Sequence, residues 1–350
     1  MEKKIKVLVV DDSALIRGIL ADGLAKDPHI EVVGVAADPY IARDKIVALK
    51  PDVLTLDVEM PRMDGLEFLR KLMAQYPIPV VMVSALTERG KRITIEALEA
   101  GAVDFVSKPK ADVARGLNDM MIELRTKVKL AASANVSHYK TRREVPLVPL
   151  SAPGALAETT DKIIVIGASA GGTEAIKDVI TRFPAATPGI VVVQHMPEGF
   201  TKMFAERLNG LCQMYVKEAA DGDRVMPGAI LIAPGSYQMK VIRSGGFYRV
   251  KCEQSEKVCG HCPSVEVLMQ SAAVCAGANA VGVMLTGMGS DGANGLKAMR
   301  EAGAHTIAQN EESCVVFGMP RAAIAAGGVE HVLHISDIPG KVLNLLSEKN

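Results

Sequence analysis

Ile163-Ile164-Val165-Ile166-Gly167-Ala168-Ser169-Ala170-Gly171 is the stretch from which the rest of the chain can be read. Four β-branched residues in a row suit a strand buried on both faces. They run straight into Gly-x-Ser-x-Gly, the form of a nucleophile elbow, where glycines permit a tight turn and the serine hydroxyl is thrust out ahead of a helix. A helical pattern follows over Thr173–Phe183. Further apolar runs at Ile190–Val193, Ala229–Ile232 and Val281–Leu285 extend the alternation, so this half reads as α/β with a parallel sheet. A hairpin is expected over Gln238–Glu253, with Ser244-Gly245-Gly246 as its turn.

The same alternation fills the first third of the chain. Lys6–Val10, Glu31–Ala36, Val53–Leu56, Val80–Ser84 and Asp104–Val106 are short, valine-rich runs, separated by helical patterns such as Ala14–Lys26 and Gly65–Gln75. Five repeats of this kind predict a doubly wound domain with its functional loops at the carboxyl ends of the strands. Between about Ala131 and Asp161 the periodicity disappears into Ser, Thr, Arg, Pro and Gly, which marks a linker. The expected organisation is a domain over 1–130, a linker over 131–161 and a second domain over 162–350. The fold class is α/β, with two doubly wound parallel-sheet domains, the first flavodoxin-like and the second Rossmann-like.

Bulk properties exclude several classes. Lys+Arg and Asp+Glu number 40 each in 350 residues, and a balanced chain gives no support to nucleic acid or an acidic membrane as main partner. Aromatics are 4% with no Trp, which argues against stacking on single-stranded bases. A DNA-binding regulator would need a basic recognition helix that is not evident. The run Ile5–Val10 is too short for a signal or spanning segment, so the protein is expected to be cytoplasmic and not membrane-embedded.

Two constellations carry chemistry. Asp11 and Asp12 end the first strand, Asp57 the third, Ser84 the fourth and Lys108 the fifth, and in a parallel sheet these ends share one rim. Crowded carboxylates call for a cation, and Mg²⁺ suits a few carboxylates with water and phosphate oxygens. Asp57 is then placed to attack a phosphoryl donor, with Lys108 and the Ser84 hydroxyl holding the new oxygens. The bland use of Asp11 or Asp12 is to cap the following helix.

In the second half, His195 directly follows the next strand and Asp291 follows Val281–Leu285, so both fall on the rim that carries Ser169. Serine would attack, His195 would take its proton, and Asp291 would fix the imidazole's tautomer. The rival is a dinucleotide loop, but Gly-x-Gly-x-x-Gly needs glycine where Ser169 stands. Under that rival the domain would bind a nucleotide or act as an adaptor without chemistry. Cys259-Gly260-His261-Cys262 spells a dithiol motif, yet it lies deep inside an α/β domain; chance, redox regulation and zinc all remain readings of it.

Residues 1–125 resemble the receiver domains of two-component response regulators, on Val-Asp-Asp-Ser at 10–13, Leu-Asp-Val-Glu-Met-Pro at 56–61, Gly65, Ser84-Ala85 and Lys108-Pro109. The resemblance implies that Asp57 is the phosphoacceptor, fed by a chemotaxis histidine kinase. It also implies that Asp11, Asp12, Asp57 and the Glu59 carbonyl hold Mg²⁺, and that Ser84 and Phe105 occupy the switch positions. Residues 162–347 resemble the chemotaxis methylesterases, CheB-type, on Ile-Gly-Ala-Ser-Ala-Gly-Gly at 166–172, Gln-His-Met-Pro at 194–197 and Leu-Thr-Gly-Met-Gly-Ser-Asp-Gly-Ala at 285–293. Ala-Pro-Gly at 233–235, His261, Pro263-Ser264-Val265 and Gly318-Met319-Pro320 match as well. What this resemblance implies is hydrolysis of glutamyl methyl esters on methylated chemoreceptors, deamidation of particular receptor glutamines, and no cofactor for either reaction. Ser169, His195 and Asp291 would be the triad, with the Met288 backbone N–H at the oxyanion. The chain departs from the family's usual pattern at Ala170, where a threonine is common, and at Cys262, where an arginine is common.

Overall fold

The computed structural model of the chain describes residues 3–85, 87–109, 113–140, 150 and 161–348. The chain divides into two compact units, Met1–Arg143 and Glu144–Asn350. Most of the expected linker, 141–149 and 151–160, lies outside the described residues.

In the first unit β1 (Ile5–Val10), α1 (Ala14–Ala25), β2 (Ile30–Ala36), α2 (Pro39–Leu49), β3 (Val53–Asp57), α3 (Gly65–Gln75), β4 (Val80–Ala85), α4 (Glu88–Glu99), β5 (Asp104–Lys108) and α5 (Val113–Ala131) alternate. The strands form a five-stranded sheet in the order β2-β1-β3-β4-β5, and every pairing is parallel. This is the flavodoxin-like winding, whose crevice opens above β1 and β3. Val53 to Val58 are fully buried, and Asp57 at the end of β3 is carried by the most enclosed strand. The first residues assigned to the linker belong to this unit. A turn of 3-10 helix at Ser137–Lys140 follows α5, and a Cβ on Gly101 would stand 3.1 Å from the Tyr139 ring.

The second unit comprises β6 (Ile163–Ala168), α6 (Gly172–Ile180), β7 (Gly189–Gln194), α7 (Phe200–Asn209), β8 (Tyr215–Glu218), β9 (Ala229–Ile232), β10 (Gln238–Ser244), β11 (Phe247–Glu253), α8 (Val265–Ala276), β12 (Ala280–Met284), α9 (Ala293–Glu301), β13 (His305–Gln309), α10 (Met319–Ala325), β14 (His331–Leu333) and α11 (Ile338–Ser347). Its parallel sheet runs β14-β13-β12-β6-β7-β9-β8. Without the edge strand β8, that is the Rossmann winding with the chain reversal at β6 and β12. All six residues of β6 and of β7 are buried. Each large aliphatic side chain so covered contributes about 1.5–3 kcal/mol relative to exposure, which makes this pair of strands a rigid mount.

The hairpin expected over Gln238–Glu253 forms as β10 and β11 in antiparallel register, Ser244 opposite Phe247. It does not join the main sheet. It lies on α8, where Ser271 Oγ accepts from the Val241 N–H at 2.9 Å. The strands β8, β13 and β14, which the periodicity does not single out, are three to five residues long, and β8 exposes Tyr215 at the sheet's edge.

Candidate active site

Ser169 follows β6, the strand at the centre of the larger sheet. Its backbone N–H donates to the Thr286 carbonyl at 3.0 Å, and its carbonyl accepts from Gly172 at 2.7 Å, which closes the elbow. Gly171 then takes a left-handed φ of 72°, and a Cβ there would also strike Val315 at 2.5 Å. Only glycine meets both demands. A Cβ on Gly287 would come within 2.8 Å of the Ser169 Cβ, so the loop after β12 passes directly over the serine.

His195 follows β7, the neighbouring strand. Its Nδ1 lies 3.1 Å from Ser169 Oγ, and its Nε2 lies 2.7 Å from Asp291 Oδ2. The ring faces its partners in the opposite sense to chymotrypsin, where Nε2 meets the serine. With the Nε2 proton engaged by Asp291, Nδ1 is the lone-pair nitrogen and accepts from the Ser169 hydroxyl. Buried Gln194 ties the two loops together, its Nε2 donating to the carbonyls of Ser169 and His195 at 2.9 and 3.2 Å.

Asp291 reaches the site from the loop before α9 and is buried. Its carboxylate sits at the N-terminus of α8, where the Val265 and Glu266 N–H groups donate at 2.7 and 3.1 Å. Ser264, the N-cap of α8, makes no cap bond of its own; its hydroxyl donates to Asp291 Oδ1 at 2.7 Å. Burial raises the cost of the charge, but His195, Ser264 and the helix N–H groups more than offset it, so Asp291 stays below the usual carboxylate range. Gln194, Ser264 and the α8 terminus hold these groups in place, a part that sequence reasoning did not give them although Gln194 and Ser264 lie in the matched stretches. The Pro263-Ser264 pair was the available signal, since serine before an apolar helical run marks an N-cap.

Met288 is half exposed beside the site. Its backbone N–H donates to no carbonyl among the described residues, and neither does that of Ala170, the residue after Ser169. At Ala170, where a threonine was noted as common, the chain has no hydroxyl; the Ala170 carbonyl accepts from the buried Thr286 hydroxyl at 3.0 Å.

The dithiol motif lies against this site. Cys259 and Gly260 both take positive φ, in a tight turn bridged between Val258 and His261. Both thiols are free and pushed above the usual thiol range. Burial comes first for each, and for Cys259 the Asp291 and Glu266 charges add to it. The Cys262 thiol turns to the Ser255 carbonyl.

In the first unit Asp11, Asp12 and Asp57 offer carboxylate oxygens within 4.8 Å of one another. Lys108 Nζ bridges Asp11 and Asp57 at 2.9 Å each. Burial pushes the Asp57 carboxyl up to about 6, against the pull of Lys108 and with Asp11 adding to the rise. Burial pulls the Lys108 ammonium down, and the two aspartates outweigh it, leaving it raised. A buried carboxylate that still resists ionisation beside one lysine is a donor set short of positive charge, which fits a hard divalent cation. Helix capping does not account for these groups, because Ser13 caps α1. Asp11 instead accepts from the Ser13 N–H at 2.9 Å. Glu59 is exposed, and its N–H donates to the Asp57 carboxylate.

Ser84 and Phe105 have partners of their own. The buried Ser84 Oγ accepts from Thr94 at 2.7 Å and lies 3.3 Å from the Ala85 and Gly90 carbonyls. It makes no bond to Asp57 or Lys108 in this structure. Phe105 is buried, with Lys127 Nζ 5.2 Å from its ring centroid.

Residues 164–342 match the family described as CheB methylesterase, and residues 7–115 the response regulator receiver domain. A protein-glutamate methylesterase/protein-glutamine glutaminase of Syntrophotalea carbinolica is 64% identical over 351 residues, covering 100% of this chain and 99% of that one.

The chain belongs to the CheB methylesterase family.

A relative of the same name from Sulfurimonas denitrificans is 53% identical over 349 residues, covering 99% of each chain. The Thermotoga maritima CheB methylesterase catalytic domain superposes with a TM-score of 0.52 at 39% identity, covering 53% of this chain and all of that one. The CheB-type domain is therefore the second unit, and the receiver domain precedes it. Among the described residues no helix is long and apolar enough to cross a membrane.

Proposed function

We propose that this chain is a phosphorylation-gated hydrolase that removes methyl esters from glutamate side chains of chemoreceptors and deamidates particular receptor glutamines. The observation that carries the reading is the contiguous line Ser169 Oγ, His195, Asp291, with steps of 3.1 and 2.7 Å on a buried mount. Ser169 Oγ attacks the ester carbonyl while its proton passes to His195 Nδ1. Asp291 holds the Nε2–H and stabilises the imidazolium. The N–H groups of Met288 and Ala170 receive the oxyanion. Collapse breaks the bond to the methoxy oxygen, His195 returns the proton, and methanol leaves. Water, deprotonated by His195, then releases glutamate from Ser169. With glutamine the leaving group is ammonia and the remaining steps are the same.

In the receiver, Asp57 is the nucleophile towards the phosphoryl group supplied by a histidine kinase, and Lys108 neutralises the transferred oxygens. Asp11, Asp12, Asp57 and the Glu59 carbonyl would hold Mg²⁺, which when bound supplies charge neutralisation for the phosphoryl group. The Ser84 hydroxyl, which accepts from Thr94 here, is the switch element that would donate to that group. A cytoplasmic enzyme acting on receptor tails fits these parts.

Methanol release from methylated receptor, with and without acetyl phosphate and Mg²⁺, tests the reading. Release that rises with the phosphodonor, and no longer rises in Asp57→Asn, supports it. No release from the unaltered chain under any of these conditions sinks it.

Ser264→Ala is expected to cost about 1–3 kcal/mol at neutral pH, the range for a hydrogen bond to a buried charge, and to slow turnover about tenfold. Because Asp291 is lowered on folding, its stabilisation is present above the ordinary carboxylate pKa and lost as pH falls through the lowered folded value. The variant's deficit in urea unfolding is therefore full at pH 7 and shrinks at strongly acid pH. An equal deficit at both would show that only packing was lost.

A further inference from the structure

The imidazole of His261 lies on the face of His195, with ring centroids 3.6 Å apart and planes 8° from parallel. The two bonds that hold His195 are both made in its ring plane, at Nδ1 and Nε2. A ring held only at two edges can still tip about the line joining its partners. A second ring against its face removes that freedom.

The second ring is itself firmly placed. The Val258 and His261 N–H groups donate to each other's carbonyls at 3.0 and 2.9 Å. Beneath them lies Gln238, 1% exposed, whose Nε2 donates to the His261 carbonyl at 3.0 Å. Its Oε1 accepts from the Ser264 N–H at 2.8 Å. The Ser264 hydroxyl in turn holds Asp291. One buried glutamine thus links the group that steadies the base by its face to the group that steadies it by its edge.

We propose that His261 is a positioning residue for the general base, its ring face holding the His195 plane and favouring the imidazolium formed during acyl transfer. Two neutral rings stacked face to face gain little, because their quadrupoles oppose. A cation over a neutral ring is attracted. On taking the Ser169 proton His195 gains a positive charge, so the contact is stronger in the transition state than before it. Interactions of that kind raise turnover without tightening substrate binding. The role deepens the proposed esterase reading and rests on it.

The test uses the full chain with His261→Ala, His261→Phe and His261→Lys, and two readouts: methanol release, and the rate at which a fluorophosphonate labels Ser169. His261→Ala is expected to lower kcat about tenfold, with KM within about twofold, and to slow labelling to the same degree. His261→Phe, which keeps a neutral ring face, is expected to recover to within about threefold of the parent. His261→Lys, which sets a positive charge against the imidazolium, should fall below alanine. Unchanged kcat in alanine overturns the proposal, as does a phenylalanine variant no faster than alanine or a loss confined to KM. Thermal unfolding of each variant near that of the parent excludes simple misfolding, and the phenylalanine variant keeps the comparison open if alanine unfolds. A parent that labels but releases no methanol would sink the esterase reading while leaving the labelling comparison to judge His261.

Discussion

Ser169→Ala is expected to reduce methanol release to the small residue given by binding and oxyanion contacts alone, a loss in kcat on the order of 10⁵–10⁶-fold. The fold should hardly notice. The serine N–H and carbonyl, not its hydroxyl, close the elbow onto Thr286 and Gly172, so the thermal midpoint should move by no more than a few degrees. His195→Ala should be as severe, and the double variant no worse than either, because the two groups act in one proton transfer. Asp291→Asn separates geometry from charge. An amide can fill the same place, but if it offers N–H to Nε2 it selects the wrong tautomer for Nδ1 to accept the serine proton; a loss of about 10⁴-fold is expected. Release in Ser169→Ala within tenfold of the parent would remove the serine from the chemistry.

Asp57→Asn should abolish the response to phosphodonor and, at the same time, stabilise the receiver. Burial is the main reason that the Asp57 carboxyl sits at about 6 rather than the ordinary 3.8. The folded state therefore binds a proton that the unfolded state has already released between those values, and stability falls as pH rises through that window. Above it the penalty is complete, on the order of 2–3 kcal/mol from 1.36 kcal/mol per pKa unit. The amide never ionises and escapes it. In the absence of divalent cation, the variant should outlast the parent in urea at pH 8, and the gap should narrow towards pH 4. Mg²⁺ should narrow it at pH 8 by stabilising only the parent. A variant less stable than the parent at pH 8 would mean that the ion pair with Lys108 outweighs burial.

Much of this was legible in the chain because the relevant groups follow strands. Asp11, Asp57 and Lys108 converge because β1, β3 and β5 are parallel and end on one rim, and the same logic brought Ser169 and His195 together. Asp291 was legible only in part. Its role followed from the rim, but its seat at the N-terminus of α8 depends on Ser264 and Val265, 27 and 26 residues away. No periodicity reports a contact of that range. Ser84 was placed on the correct strand, but hydroxyl direction depends on the α4 partner Thr94, which spacing does not address. The stack of His261 on His195 was equally hidden, since it arises from a tight turn folding back over a different strand's end. The hairpin was expected as a unit, but its position on α8 rather than in the sheet is a tertiary choice.

Ser169 and His195 directly follow the adjacent central strands β6 and β7, and Asp291 comes from the loop between β12, on the other side of β6, and α9. Parallel neighbours are spaced about 4.8 Å apart by their hydrogen bonds, a distance one side chain spans. The distance from serine to imidazole is therefore inherited from the backbone lattice, whereas the loop after β12 and the N-terminus of α8 bring Asp291 to the far side of the ring. Insertions beyond the strand ends can reshape the mouth of the site and the receptors it admits, while leaving the distance from serine to imidazole unaltered. A single-residue deletion inside β7, by contrast, would turn His195 to the opposite face of the sheet.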